Sequence, residues 1–210
     1  MKQGCFVTFE GIDGCGKSTQ AKLFAERLAA EGYHVVATRE PGGTVIAEKI
    51  RSLLIDPAHG EMVSECELLL YLAARAQHLR EKIAPAVADG AVVIGDRFQE
   101  ATFAYQGYGR GLPLDLLMSL NAFATGGRNP DLTFIIDVPV ETAFERMSAM
   151  KKERDRLETA GQVFFENIRR GYLSLAAASP DRIAVIDGTA TVEDIAAQVL
   201  YRANKCGFSV

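Results

Sequence analysis

The sequence predicts an α/β fold, a doubly wound five-stranded parallel sheet with helices on both faces. Three observations carry this expectation. Five short apolar runs of the kind buried in parallel sheets alternate with segments of helical periodicity. No repeat, low-complexity stretch or linker breaks the alternation, so residues 1–210 read as a single domain. The first apolar run passes through a glycine-rich turn straight into a helical pattern, the unit from which such sheets are built.

The strands are expected at Cys5–Glu10, 34–38, 91–95, Leu132–Asp137 and Ile183–Asp187. Helical periodicity fills Lys17–Ala30, 45–54, 65–88, 113–125, 140–150, 162–177 and 192–203. Gly32 and Gly90 sit where helices commonly end on glycine, and Pro113 suits a first helical turn. Pro85 is expected to kink or end the long third helix, because it lacks an N–H and its ring crowds the preceding turn.

Composition removes several classes of function. A formal charge of −4 argues against a sequence-independent nucleic-acid binder, so an anionic ligand must be held by local basic clusters. The longest apolar run, 68–74, is far short of the roughly 20 residues that span a bilayer. With no signal-peptide pattern at the start, the expectation is a soluble, cytoplasmic protein. Four cysteines (Cys5, Cys15, Cys66, Cys206) show neither C-x-x-C spacing nor a histidine arrangement, which supports no zinc site and no disulfide framework.

The most informative segment is Gly11-Ile12-Asp13-Gly14-Cys15-Gly16-Lys17-Ser18-Thr19, a G-x-x-x-x-G-K-S pattern between strand and helix. Glycines let successive backbone N–H groups curl around a phosphate, and the helix behind directs its positive end at it. Lys17 can reach the β- and γ-phosphates, and the Ser18 hydroxyl can ligate Mg²⁺. This predicts a P-loop NTPase fold and a nucleoside triphosphate ligand. Cys15 lies inside this loop near a helix N-terminus, an environment that can lower a thiol pKa and favour oxidation. A small residue filling a tight loop is the plainer explanation of Cys15.

Ligands of open parallel sheets sit beyond the carboxyl ends of the strands. The second strand is followed by Thr38-Arg39-Glu40-Pro41-Gly42-Gly43-Thr44, and the third by Asp96-Arg97-Phe98. Asp96 is a candidate Mg²⁺ carboxylate and Arg97 a bidentate partner for transferring phosphates. Arg39 is a candidate second phosphate contact. The charged segment Lys151-Lys152-Glu153-Arg154-Asp155-Arg156-Leu157-Glu158 reads either as a solvated helix face or as a mobile lid, about 147–160, that closes its arginines over the phosphates.

These segments, together with Ala104-Tyr105-Gln106-Gly107, Pro130-Asp131-Leu132-Thr133 and Asp155-Arg156-Leu157-Glu158, resemble the thymidylate kinase family over nearly the whole chain. The chain is similar to the bacterial form, whose phosphate loop lacks a basic residue that the lid carries instead. The resemblance implies the reaction of ATP with dTMP to give ADP and dTDP, with Mg²⁺, in a homodimer. It gives Lys17, Arg154 and Arg156 the donor phosphates, Arg97 the bridge between donor and acceptor, and Arg39 the acceptor phosphate. Asp13 falls near the deoxyribose 3′-hydroxyl. Tyr71 and Arg75, i and i+4 on one helix face, fall against the base. Thr102 meets the base edge, Tyr105 packs where a ribose 2′-hydroxyl would lie, and Gln106 follows it in the acceptor site. Arg146, just before the lid, is a candidate for stacking on adenine, and an amphipathic surface of helix 65–88 can supply the dimer interface. Two departures from the family, Tyr71 for phenylalanine and Ala101 for serine, bear on fine substrate preference.

Two other readings remain. One is another nucleoside or nucleotide kinase; a nucleoside acceptor would need a base for its 5′-hydroxyl, for which Glu10 or Asp13 could serve. An ATP-dependent switch would hydrolyse ATP without an acceptor. A GTPase is disfavoured, since the only Asn-Lys, Asn204-Lys205, lacks the following aspartate of a guanine-binding motif.

Overall fold

The computed structural model describes residues 4–149 and 161–208. Five strands, β1 (Cys5–Glu10), β2 (Val35–Arg39), β3 (Val92–Asp96), β4 (Leu132–Asp137) and β5 (Ile183–Asp187), form one parallel sheet in the order β2-β3-β1-β4-β5. Every strand lies within one residue of its expected bounds. β1 runs down the middle, with Phe6, Val7 and Phe9 fully buried, as its unbroken apolar run requires. The register pairs Phe9 with Asp96 and Arg39 with Asp96, so β1, β2 and β3 end level with one another. The connections β1 to β2 and β3 to β4 run in opposite directions across the sheet, which opens a crevice at that edge.

Two small features fix this central strand. Asp131, just ahead of β4, accepts the Phe6 N–H at 2.7 Å and donates its own N–H to the Phe6 carbonyl at 2.7 Å. Thr8 and Thr133 share a buried hydroxyl hydrogen bond of 2.8 Å, which satisfies two polar groups inside the sheet. On one face, Phe9, Phe24 and Phe134 pack with ring centroids 5.1–5.9 Å apart. On the other, Phe6 meets the edge of Phe98 at 4.9 Å.

The helix behind the glycine-rich turn, α1 (Lys17–Ala30), buries Lys17, Gln20, Ala21, Phe24 and Leu28, a stripe of helical spacing against the sheet. Helix α2 (Val45–Ile55) starts at Thr44, whose hydroxyl accepts the Ala47 N–H at 3.4 Å. Helix α3 (Ser64–His78) runs through a wider π-helical turn at Leu79–Ile83 into α4 (Ala84–Ala88). Pro85 therefore does not end the helix. The wide turn, closed by Ala84 N–H to the Leu79 carbonyl, shifts the hydrogen-bond register just before the proline and takes up its missing donor.

Sequence reading missed one helical stretch. Helix α5 (Gln99–Thr102) continues as a π-helical segment, Phe103–Gly109. Its residues are buried on almost every side, so no amphipathic period marks it, and Gly107 and Gly109 lower its propensity. Pro113 precedes α6 (Leu114–Thr125) as its cap and is not in its first turn, with ψ of 125° outside the helical range. The remaining helices are α7 (Val140–Ala149), α8 (Gln162–Ala178) and α9 (Val192–Lys205). The expected lid falls almost wholly outside the described residues, and with it Lys151, Lys152, Arg154 and Arg156.

Candidate active site

The ends of β1, β2 and β3 surround a cavity of about 270 Å³. Its floor is the glycine-rich loop between β1 and α1. Gly14 has φ of 82°, and a Cβ there would lie 2.4 Å from the Ala143 carbonyl, so only glycine fits. Gly16 also has positive φ (98°), yet a Cβ there would meet nothing within 4 Å. Here the left-handed backbone serves the turn into α1, and the space beside it stays open at the helix's positive end. Lys17, almost buried, lies 3.3 Å from Asp13 Oδ1 and 3.5 Å from the Ile12 carbonyl, folded over its own loop. Ser18 Oγ donates to Asp96 Oδ2 at 2.5 Å, joining α1 to the end of β3.

Arg97 stands at the centre. Its guanidinium binds Asp13 Oδ1 at 2.6 Å and the Tyr105 hydroxyl at 2.9 Å through Nη2, and the Tyr172 hydroxyl at 3.0 Å through Nη1. It also lies 4.8 Å above the Tyr105 ring. Tyr105 in turn donates to Asp13 Oδ2 at 2.8 Å, so both oxygens of Asp13 accept. Burial alone would raise the Asp13 pKa, but Arg97 and Lys17 together outweigh it and hold the carboxyl well below the usual carboxylate range. Asp13 is thus a fixed negative charge and a weak base. Burial and the neighbouring Asp13 push the Tyr105 hydroxyl well above its ordinary value, so it stays a donor.

Among the described residues, four cations line the cavity: Lys17, Arg39, Arg51 and Arg97. They are the local basic cluster that the net charge of −4 requires of an anion site. Glu48 accepts from Arg39 Nη2 with both oxygens at 3.0 Å and takes the Gly43 N–H at 2.8 Å, which fixes the arginine at the rim. Arg51 donates to the Pro41 carbonyl at 2.9 Å. Sequence reading missed Arg51; its one signal was its place on α2, two turns into the helix that follows the Arg-Glu-Pro-Gly-Gly turn.

Tyr71, Thr102, Tyr105 and Gln106 line the same cavity beside Ala101 and Ile55. Arg75 does not. It is 1% exposed, and donates from Nε to Glu40, from Nη1 to Thr102 and Asn121, and from Nη2 to the Phe98 carbonyl, all at 2.8–3.0 Å. Four of its five N–H groups are occupied within the protein. Glu40 also takes His78 Nδ1 at 3.1 Å, and His78 Nε2 meets Thr38 at 2.7 Å. Arg75 is therefore the hub of a buried network behind the cavity wall, apart from the residues that line the cavity.

Arg146 lies behind the phosphate loop, donating to the Cys15 carbonyl at 3.3 Å and the Gly188 carbonyl at 3.0 Å. The loop cysteine follows the plainer of its two readings. Cys15 is fully buried, and burial raises its pKa more than Lys17 lowers it. The thiol stays protonated and packs as a small apolar residue, so the helix N-terminus does not activate it.

Comparison with known proteins shows the family. The family model described as "Thymidylate kinase" matches residues 9–199. Thymidylate kinase of Geobacter sulfurreducens is 50% identical over 201 residues, covering 93% of this chain and 94% of that protein. That of Geotalea daltonii is 49% identical over 198 residues, covering 91% and 92%. The crystal structure of thymidylate kinase from Ehrlichia chaffeensis superposes with a TM-score of 0.78 at 35% identity, covering 96% of this chain and 98% of that one. A phosphate loop backed by Asp96, an Arg97–Asp13–Tyr105 cluster and this likeness along almost the full length agree: the chain belongs to the thymidylate kinase family.

Proposed function

We propose that this site performs phosphoryl transfer from ATP to dTMP, giving ADP and dTDP for dTTP synthesis. The observation that carries the reading is the convergence of Lys17, Arg97, Arg39 and Arg51 on one cavity whose far wall is Tyr71, Thr102 and Tyr105. The cations supply two phosphate sites, and the wall supplies a recess for a deoxynucleoside. The donor rests on the loop 11–19 (Gly11, Ile12, Asp13, Gly14, Cys15, Gly16, Lys17, Ser18, Thr19), with Arg146 near the adenine side. Arg97 bridges donor and acceptor phosphates while Arg39 anchors the acceptor, with Arg154 and Arg156 closing from the lid. Asp13 orients Arg97 and faces the sugar 3′-hydroxyl.

The acceptor needs little activation. The second pKa of a phosphate monoester is near 6, so at neutral pH it is mostly dianionic and already nucleophilic. Catalysis then rests on positioning and charge stabilisation. A nucleoside acceptor would need a base, and Asp13, ion-paired with Arg97 and held ionised at low pKa, is poorly suited to that task.

Mg²⁺ fits the residues present. Ser18 Oγ and Asp96 Oδ2 are two hard oxygen donors in contact at the phosphate edge. Among the described residues no group of three or more His, Cys, Asp or Glu could hold a metal on its own. Ser18 and Asp96 would hold the ion there, and it would supply positive charge against the donor phosphates.

Assembly as a cytoplasmic homodimer belongs to the same reading. Ile46 and Leu53 on α2, Leu69 on α3, and Leu116 and Phe123 on α6 are exposed apolar residues on neighbouring helices, which supports a contact face there. No helix among the described residues is long and apolar enough to cross a membrane.

The test is ADP release with Mg-ATP against dTMP, dUMP, dCMP, dGMP, AMP, thymidine and no acceptor. Turnover greatest with dTMP, weaker with dUMP and minimal otherwise supports the reading. One methyl in an apolar recess is worth about 1–3 kcal/mol, so the dUMP ratio is expected to be modest. Turnover led by thymidine, or hydrolysis indifferent to acceptor, would overturn it.

A further inference from the structure

Arg97 is the one non-glycine residue with positive φ (73°) among the described residues. Such a backbone persists only where the surroundings over-determine it. Part of the constraint is local, since the Arg97 N–H donates to the Phe9 carbonyl at 3.0 Å. The rest comes from Glu10. Its Oε1 accepts the N–H of the next residue, Phe98, at 2.6 Å. Its Oε2 accepts the Tyr172 hydroxyl at 2.8 Å, and that hydroxyl accepts Arg97 Nη1 at 3.0 Å. One carboxylate at the end of β1 thus grips the arginine twice, through the backbone just after it and through its guanidinium. Glu10 is fully buried, Tyr172 is 1% exposed, and neither lines the cavity.

We propose that Glu10 and Tyr172 are positioning residues for the transfer, a buried relay from β1 through α8 that holds the Arg97 guanidinium where the two phosphates meet. The proposal rests on Arg97 being the bridging arginine. Without the relay, Nη2 keeps Asp13 and Tyr105, but nothing holds Nη1. The guanidinium can then pivot about the Asp13 contact, away from the in-line geometry.

The relay has a protonation state. The groups facing Glu10 are Arg97, Tyr172 on α8, the Phe98 N–H and Glu100 on α5, which is itself paired with Arg182 at 2.7 Å. Both Glu10 oxygens act as acceptors. A proton on Oε2 would point at the Tyr172 oxygen and strip the tyrosine's own hydrogen of its acceptor, so the relay is complete with Glu10 ionised. Burial first, and Glu100 second, push Glu10 up to about 8. The relay therefore tightens as pH rises through that region.

The experiment measures kcat and both KM values from pH 6 to 9.5 for wild type, Tyr172→Phe and Glu10→Gln, with thermal unfolding of each. Both variants are expected to fold, to lose about 10–100-fold in kcat at pH 9 and to keep KM for dTMP and ATP. Wild-type kcat should rise through pH ~8, and that rise should be absent from Glu10→Gln. The limb near pH ~6 from the dTMP phosphate should stay in all three. If Tyr172→Phe does not fold, Glu10→Gln, which keeps size and shape, decides alone. Wild-type kcat at pH 9 in a folded variant, or loss confined to KM or melting temperature, overturns the relay. Wild-type protein without dTMP-dependent turnover overturns the assigned reaction, and the relay with it.

Discussion

Arg97 and Asp13 meet at 2.6 Å across a sequence separation of 84 residues, joining the end of β3 to the phosphate loop. The pair ties the glycine-rich loop to the arginine proposed to bridge the two phosphates, which sets the spacing between the ends of β1 and β3. Tyr105 closes the triangle from a third element, with bonds to both partners.

Asp13→Asn removes the charge that fixes Arg97 and leaves a largely buried guanidinium without its counter-ion. Turnover with dTMP is expected to fall about 100-fold, because a misplaced catalytic group costs on that order. The acid response should change as well. Asp13 has a folded pKa below its unfolded one, so its stabilisation is present above the unfolded value, near 4, and is lost as pH falls towards the folded one. Urea unfolding of wild type and variant between pH 2 and 6 should show a shallower acid decline in the variant.

Arg75→Ala should damage stability more than specificity. It leaves Glu40, 6% exposed, with His78 as its remaining side-chain partner among the described residues, and takes a donor from Thr102, from Asn121 Oδ1 and from the Phe98 carbonyl. Breaking a buried pair on one side costs about 3–5 kcal/mol. For a chain of this size that lowers the melting temperature by roughly 10 °C. Arg75→Lys should recover only part of this, since one ammonium cannot replace a planar fork with four bonds. Calorimetry of the two variants checks both statements.

Mild peroxide is expected to modify Cys66 and Cys206, which are exposed, and to spare Cys15, which is buried with its thiol pKa raised. Turnover should survive. Mass spectrometry of partly oxidised protein beside an activity assay tests this, and rapid sulfenic acid formation at Cys15 with loss of ATP binding would contradict it.

Glu10 sets a stability window of opposite sign to that of Asp13. Burial, then Glu100, raise its folded pKa to about 8 from an ordinary 4.5. Between those values the folded chain holds a proton that the unfolded chain has lost, so this contribution to stability falls as pH rises. The whole change is on the order of 5 kcal/mol. Denaturant midpoints at pH 5 and pH 8.5 should differ more in wild type than in Glu10→Gln.

The sequence by itself determined the five strands, the phosphate loop and the edge of the sheet on which Lys17, Arg39, Asp96 and Arg97 gather. Those features rest on apolar runs, helical spacing and glycine placement, which are local in the chain. It missed the buried helical stretch from Gln99 to Gly109, whose surroundings on every side erase the period that would reveal it. Tertiary structure alone decided the fate of Arg75. Tyr71 and Arg75 share a helix face, yet only Tyr71 lines the cavity. The acceptors that hold Arg75 in the interior come from positions 23 to 46 residues away. Cys15 and Glu10 follow the same logic. Their chemistry depends on how much water packing removes and on which distant charges it brings near, and the Tyr172 that completes the hold on Glu10 lies 162 residues along the chain. Periodicity specifies which face a residue shares, whereas burial and long-range pairing specify what that residue can do.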